Sequence, residues 1–138
     1  MEIKIYDALP DCAAKIRIEV FVQEQGFHYE IDETDKIATH FVAFDGETPV
    51  ATCRVYFNDE FNAYMVGRIS VLKAYRGKNI GREILRAAEA FVQERGEKKL
   101  ILRAQCRALP FYEKCGYSAY GETVYEEGCP HLWVEKSL

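Results

Sequence analysis

The apolar rhythm of the chain changes several times, and each change marks an element. Glu2-Ile3-Lys4-Ile5-Tyr6 alternates, which predicts a short strand. From Pro10 the spacing turns helical: Ala13, Ile16, Val20 and Phe21 share one face, while Lys15, Arg17 and Glu19 point elsewhere. Asp7 stands where an N-cap would, and Pro10 suits a first turn. Residues 23–36 are polar and acidic around Gly26 and read as a loop or short helix. Residues 39–44 and 50–57 predict a hairpin about Asp45-Gly46-Glu47-Thr48, and 63–72 predict another strand.

Ile80, Ile84, Leu85, Ala88, Phe91 and Val92 then recur at helical spacing. Arg82, Glu83, Arg86, Glu89 and Gln93 fill the other face, and Gly96 is the stop signal. Lys99 to Arg103 reads as a short apolar strand, and Leu109 to Lys114 as a short helix ended by Gly116. Two strands follow, near 117–125 and 131–136. The order β-α-β-β-β-α-β-α-β-β predicts an α+β fold, a mixed and mostly antiparallel β-sheet flanked by helices.

Composition narrows the class. With 138 residues, about half of them apolar, and no repeat or linker, the expectation is a single domain over 1–138. A formal net charge of −4 argues against general nucleic-acid binding, which needs a dense basic face. Cys12, Cys53, Cys106, Cys115 and Cys129 include no C-x-x-C pair, so neither a metal site nor a disulfide framework is expected. Reduced, mostly buried thiols fit a cytoplasmic protein. The alternating, acid-bearing Met1–Asp7 segment is not expected to be a signal peptide, and no apolar run approaches membrane-spanning length.

One segment carries chemistry. The apolar strand Arg68-Ile69-Ser70-Val71-Leu72 runs into Arg76-Gly77-Lys78-Asn79-Ile80-Gly81, a basic turn that opens a helix. A helix N-terminus leaves backbone N–H groups unpaired, and its dipole favours an anion there. Glycines let the backbone approach a phosphate, and Arg76, Lys78 and Arg82 add positive charge. Spacing excludes both the Walker loop and the dinucleotide fingerprint. An ordinary strand-to-helix turn with solvated basic side chains remains the alternative.

The segment resembles the acetyl-CoA signature of the GNAT superfamily of N-acetyltransferases, Gln/Arg-x-x-Gly-x-Gly/Ala after a hydrophobic-x-Val strand. Arg76, Ile80 and Gly81 match, and Ile69-Ser70-Val71 supplies the strand unit. Asn79 stands where the family usually has Gly, and Asn is the best non-Gly residue in the left-handed region. Pro110-Phe111-Tyr112-Glu113-Lys114-Cys115-Gly116-Tyr117 is similar to the family's Phe-Tyr-x-x-x-Gly-Phe/Tyr unit. Phe21-Val22-Gln23-Glu24-Gln25-Gly26 and Glu126-Glu127-Gly128-Cys129-Pro130-His131 further resemble a small bacterial subgroup of uncharacterised predicted acetyltransferases. The resemblance implies a GNAT-like fold and acetyl-CoA as cosubstrate. Ile69, Ser70 and Val71 would face its pantetheine arm. The turn Arg76, Gly77, Lys78, Asn79, Ile80 and Gly81, with Arg82 and Phe111, would hold the rest. Gln105 is a further candidate to hydrogen-bond pantetheine or substrate.

Acetyl transfer requires a neutral amine and a proton for the leaving thiolate. Tyr112 is the candidate general acid, because the family often uses a Tyr there, although a helix aromatic can equally be packing beside Phe111, which is better placed for the core. Candidate bases are His131, with a suitable ordinary pKa, and Glu24, at the end of the first helix. None of Cys53, Cys106, Cys115 and Cys129 has the setting of a nucleophile. Arg54 and Arg68, on apolar strands, need partners, and Glu30, Asp32 or Asp35 would pin the acidic loop to them; anchoring a substrate carboxylate is the functional alternative. The acceptor would be an amine of a small molecule or peptide. Glu24, Glu30, Asp32, Glu122, Glu126 and Glu127 favour a polyamine, amino sugar or lysine-like amine, or simply solvate a surface. A monomer or homodimer without nucleic-acid or membrane partners is expected. A non-catalytic acyl-CoA sensor of the same fold, or an interaction domain using the acidic 24–35 loop, remain the competing functions.

Overall fold

In the computed structural model, which describes residues 1–28 and 31–138, the elements follow the expected order. Strand β1 (Glu2–Tyr6) precedes helix α1 (Asp11–Arg17), and β2 (Thr39–Asp45), β3 (Thr48–Asn58) and β4 (Ala63–Val71) form a meander. Helix α2 (Ile80–Glu94), β5 (Lys99–Gln105), the short α3 (Leu109–Lys114) and the hairpin of β6 (Ser118–Glu126) and β7 (Cys129–Ser137) follow. The seven strands make one sheet, β1-β2-β3-β4-β5-β7-β6, antiparallel throughout except between β4 and β5. This is the mixed, mostly antiparallel α+β fold that the element order predicts.

Strand alternation distributes the core over both faces of the sheet. Phe41 and Ala43 face α2, whose Ile80, Ile84, Leu85, Ala88 and Val92 are buried against them and against Val55, Val66, Leu100 and Val134. Phe91 meets Phe41 edge-on at 5.5 Å. Val42, between them, points to the opposite face and packs with Ala13, Ile16 and Val20 of the first helix. Full burial of each large aliphatic side chain contributes roughly 1.5–3 kcal/mol.

Four local expectations are corrected. Asp7 is not the N-cap: α1 begins at Asp11, with the extended Pro10 as its cap and the Pro10 carbonyl accepting from the Ala13 and Ala14 amides at 3.1 Å. A proline keeps the residue before it out of the helical region, so the helix cannot start upstream. Arg17 does not point to solvent. It is 1% exposed and donates to both Asp35 oxygens, at 2.7 and 2.9 Å. Glu89 is buried too, because Tyr117 Oη donates to it at 2.8 Å and Lys136 Nζ at 3.1 Å. Finally, Tyr112 rather than Phe111 is the core member of its pair: Tyr112 is buried, and Phe111 lies at the edge against Gly81.

Charge pairing shapes the described residues of 23–28 and 31–36. The first helix runs on as a π-helix, Ile18–Glu24, and a 3-10 turn follows at Glu33–Lys36. Glu30, one of the expected partners of Arg54 and Arg68, lies outside the described residues. Arg54 donates to Asp32 at 2.6 and 3.2 Å and to Asp35 at 3.0 Å, and Arg68 donates to Asp32 at 3.2 Å. Burial alone would raise the Asp35 pKa. Hydrogen bonds from Arg17 and the Asp32 amide, with the charges of Arg17 and Arg54, outweigh it and hold the carboxyl far below the usual range.

The one parallel contact positions the site. β4 and β5 pair only at Tyr64↔Leu100 and Met65↔Ile101, and beyond Met65 they diverge. The register between β3 and β4 shifts in the same stretch: Arg54 faces Gly67 and Thr52 faces Ser70, leaving Arg68 and Ile69 opposite Cys53. Arg68 takes a positive φ of 51° in this bulge. Bulges increase local twist and re-aim side chains, and this one bends β4 away from β5.

Candidate active site

The divergence opens a cavity of about 530 Å³. Val66 to Ile69 form one wall, and Leu102, Arg103 and Gln105 the other. Phe21, Gln25 and Phe27 approach from the π-helix and the residues after it, while Tyr112 of α3 and His131 of β7 close the remaining side. On the β5 side, the β4 backbone past Met65 has no ladder partner, which leaves main-chain donors and acceptors facing the wedge.

At the end of β4 a 3-10 turn, Lys73–Tyr75, leads to the basic turn. Gly77 has φ 80° and Asn79 has φ 67°, so Asn79 takes the left-handed conformation that its identity predicts and caps α2. Its carbonyl accepts from the Glu83 amide at 3.0 Å. No acceptor among the described residues takes the backbone N–H groups of residues 79–82. A side chain added at Gly77 would meet nothing within 4 Å, so this row of donors is open to approach. A row of free N–H groups at the positive end of a fifteen-residue helix fits a pyrophosphate. Gly81 has a different use: a Cβ there would lie 3.3 Å from Phe111 Cζ and 3.7 Å from Val71 Cγ2. Its absence lets the first turn of α2 sit against β4 and α3.

The basic side chains divide. Lys78 stays beside the turn, 5.4 Å over the Tyr75 ring. Arg76 turns away. Its Nε donates to the Val71 carbonyl at 3.0 Å, and its two Nη atoms donate to Glu24 at 2.6 and 2.7 Å. The candidate base Glu24 is thus a bidentate partner of Arg76, whose hydrogen bonds hold its carboxyl below the ordinary value. Ser70 is buried and its hydroxyl donates to the Arg68 carbonyl at 3.3 Å. Ile69 lines the cavity, and Arg82 lies near Cys115 at the start of α2.

Tyr112 and His131 do line the cavity. Burial, with Cys53 and Cys115 nearby, raises the Tyr112 pKa, so the phenol stays protonated, and its hydroxyl has no hydrogen-bond partner among the described residues. His131 Nδ1 lies 2.9 Å from the Cys129 carbonyl. A carbonyl only accepts, so Nδ1 carries the proton and Nε2 of the neutral ring keeps its lone pair. Nε2 lies 3.6 Å from Glu126, whose other oxygen pairs with Arg103. Gln105 belongs to β5 itself; it donates to Gln25 at 2.9 Å and accepts from Arg107 at 2.8 Å. Burial raises the Cys53 and Cys115 thiols, which removes the nucleophilic thiolate form. Among the described residues no cluster of ligating side chains could hold a metal ion, and no helix is long and apolar enough to cross a membrane.

Sequence reasoning missed Arg103, Arg107, Phe27 and Thr34, all of which line the cavity. Arg103 and Arg107 bracket Gln105, and a strand ending in spaced basic residues was the available signal.

Known proteins share this fold. Residues 4–117 match the acetyltransferase (GNAT) family. The uncharacterised N-acetyltransferase YjcF of Bacillus subtilis (strain 168) is 39% identical over 124 residues, 88% of this chain and 87% of that protein. The crystal structure of Escherichia coli ElaA superposes with a TM-score of 0.85 at 25% identity, covering 98% of each chain. An aminoglycoside 6'-N-acetyltransferase complexed with coenzyme A has the same fold, with a TM-score of 0.75 at 15% identity over 99% of this chain and 97% of that one.

Proposed function

The chain belongs to the GNAT family of acetyltransferases, and from that premise we propose that it transfers the acetyl group of acetyl-CoA directly to an amine of a small molecule or peptide. The observation that carries this reading is the wedge between β4 and β5: Tyr112, protonated, lines it, and the open N–H groups of residues 79–82 follow in the chain just after β4 ends. The cosubstrate supplies an activated acetyl thioester. Residues 79–82 bind its pyrophosphate, Lys78 and Arg82 add charge, and the unpaired β4 edge from Val66 to Val71 takes the pantetheine amides. Arg76 and Glu24 brace the turn: their ion pair ties the end of the π-helix to the exit of β4.

An alkylamine has a pKa near 10.4, so at pH 7.4 about one molecule in a thousand is neutral, a deficit of roughly 4 kcal/mol. His131 accepts the ammonium proton at Nε2, directly or through a water. Attack by the amine nitrogen forms the amide bond and breaks the carbon–sulfur bond, and the second nitrogen proton ends on the departing sulfur. Tyr112 Oη donates its hydrogen bond to that sulfur. Its raised pKa makes full transfer to a thiolate uphill, so it stabilises the developing charge and relays the proton rather than ending as a phenolate. A screen of amines, amino acids, aminoglycosides and peptides, following CoA release, tests the reading. Amine-dependent release is expected. Acetyl-CoA binding without turnover would favour the non-catalytic sensor, and no binding at all would remove the proposal.

A further inference from the structure

The charges around the cavity narrow the acceptor. Asp32, Glu126 and Glu127 line it, and each is already engaged. Asp32 accepts from Arg54 at 2.6 Å and from Arg68 at 3.2 Å. Glu126 pairs with Arg103, and Glu127 lies 2.8 Å from His28 Nδ1 and accepts from the His28 amide at 3.2 Å. An acidic wall whose carboxylates are already paired, Asp32 and Glu126 with arginines and Glu127 with His28, attracts a polycation weakly. The composition that favours a polyamine therefore does not carry over to the cavity itself.

One lining arginine is different. Arg107 has no carboxylate partner among the described residues, whereas Arg54, Arg68 and Arg103 each have one. It is oriented: Nε donates to Gln105 Oε1 at 2.8 Å, and Gln105 Nε2 donates to Gln25 Oε1 at 2.9 Å. That chain fixes the guanidinium by its Nε and leaves the two Nη atoms uncommitted, the edge that binds carboxylates in a bidentate manner. Its charge reaches Glu24, but both Glu24 oxygens are taken by Arg76. Gln105, which holds Arg107, is the cross-strand partner of His131. A cation anchor in the 3-10 turn that follows β5 and a base on β7 thus line one cavity.

Resting on the acetyl-transfer reading above, we propose that the acceptor is an amine carrying its own carboxylate, of the free amino acid class, with Arg107 binding the carboxylate while the amine lies toward His131. The test compares glycine, β-alanine and longer ω-amino acids with their carboxamides and with the corresponding simple amines. Wild-type kcat/KM is expected to favour the acids by roughly tenfold or more, the size of a charge-assisted hydrogen-bonded contact. R107Q brings the acid-to-amide ratio toward one, and R107K keeps part of it, having the charge without the fork. Because each ratio is taken within one variant, a loss of folded protein does not mimic the effect. Carboxamides or simple amines turned over as well as the acids, a ratio unchanged in R107Q, or no turnover of any member overturns the proposal. A protein that acetyl-CoA fails to stabilise in a thermal-shift assay sinks the acetyl-transfer reading itself, a separate outcome.

Discussion

Tyr112, His131 and Glu24 look alike in sequence as proton-handling groups, and their surroundings separate them. The Arg76 guanidinium holds the Glu24 carboxyl below its ordinary value, which makes it a poor base near neutrality. His131 keeps an available lone pair inside the cavity. Two variants check this division. H131Q lowers kcat by about a hundred- to ten-thousandfold at pH 7, the usual range of a general base, and recovers as pH rises toward the amine pKa. E24Q raises the KM for acetyl-CoA several-fold and leaves the pH profile of kcat unchanged, which initial-rate measurements across pH would show. The conformation of the turn was legible because it is local: Asn79 takes the left-handed region that its identity predicts. The direction of the Arg76 side chain was not, because its partner Glu24 is 52 residues away. Arg17 was misread for the same reason, since helical spacing cannot show that Asp35 waits 18 residues on.

At the scale of elements, the order of strands and helices followed from period changes, and hairpin and helix signals placed nearly every boundary within a few residues. What the pattern could not show was the divergence of β4 and β5. A strand's own sequence does not tell how far its parallel neighbour follows it, and here the pairing stops at Met65↔Ile101. The bulge at Arg68 and Ile69 arises from register between β3 and β4, which alternation alone leaves open. The turn into α2 makes a sharper prediction. Asn79 sits at φ 67°, where a Cβ costs about 1–2 kcal/mol unless the residue is Asn, Asp or Gly. N79A therefore lowers stability by about 1 kcal/mol in urea unfolding and weakens acetyl-CoA binding. N79G, the residue usual in the family at this position, keeps both close to wild type.

For the whole molecule, the buried charges set the pH response. Arg17, Asp35, Arg54 and Asp32 tie the first helix and the 3-10 turn to the sheet, and His40 donates from Nε2 to the Asp35 carbonyl at 3.0 Å. Burial holds the His40 pKa below its ordinary 6.5, so below that pH the unfolded chain binds protons that the folded chain refuses. Stability is then full above about pH 7 and falls as pH drops from 6.5 toward the lowered folded value. The lowered Asp32 and Asp35 carboxyls add a second, steeper loss beneath their ordinary 3.8. Unfolding midpoints between pH 4.5 and 7.5 should show the first loss, and H40Q should flatten it. Removing one partner of a buried pair costs about 3–5 kcal/mol, so D35A should unfold far below the wild-type urea midpoint.

The account stands on acetyl transfer in the β4–β5 wedge with Tyr112 at the leaving sulfur, and its most direct test is steady-state CoA release by wild type and Y112F with the same amine. The expected result is amine-dependent turnover that falls at least about tenfold in Y112F, while the KM for acetyl-CoA stays near the wild-type value. Equal turnover by the two proteins, or release that does not depend on the amine, would contradict it.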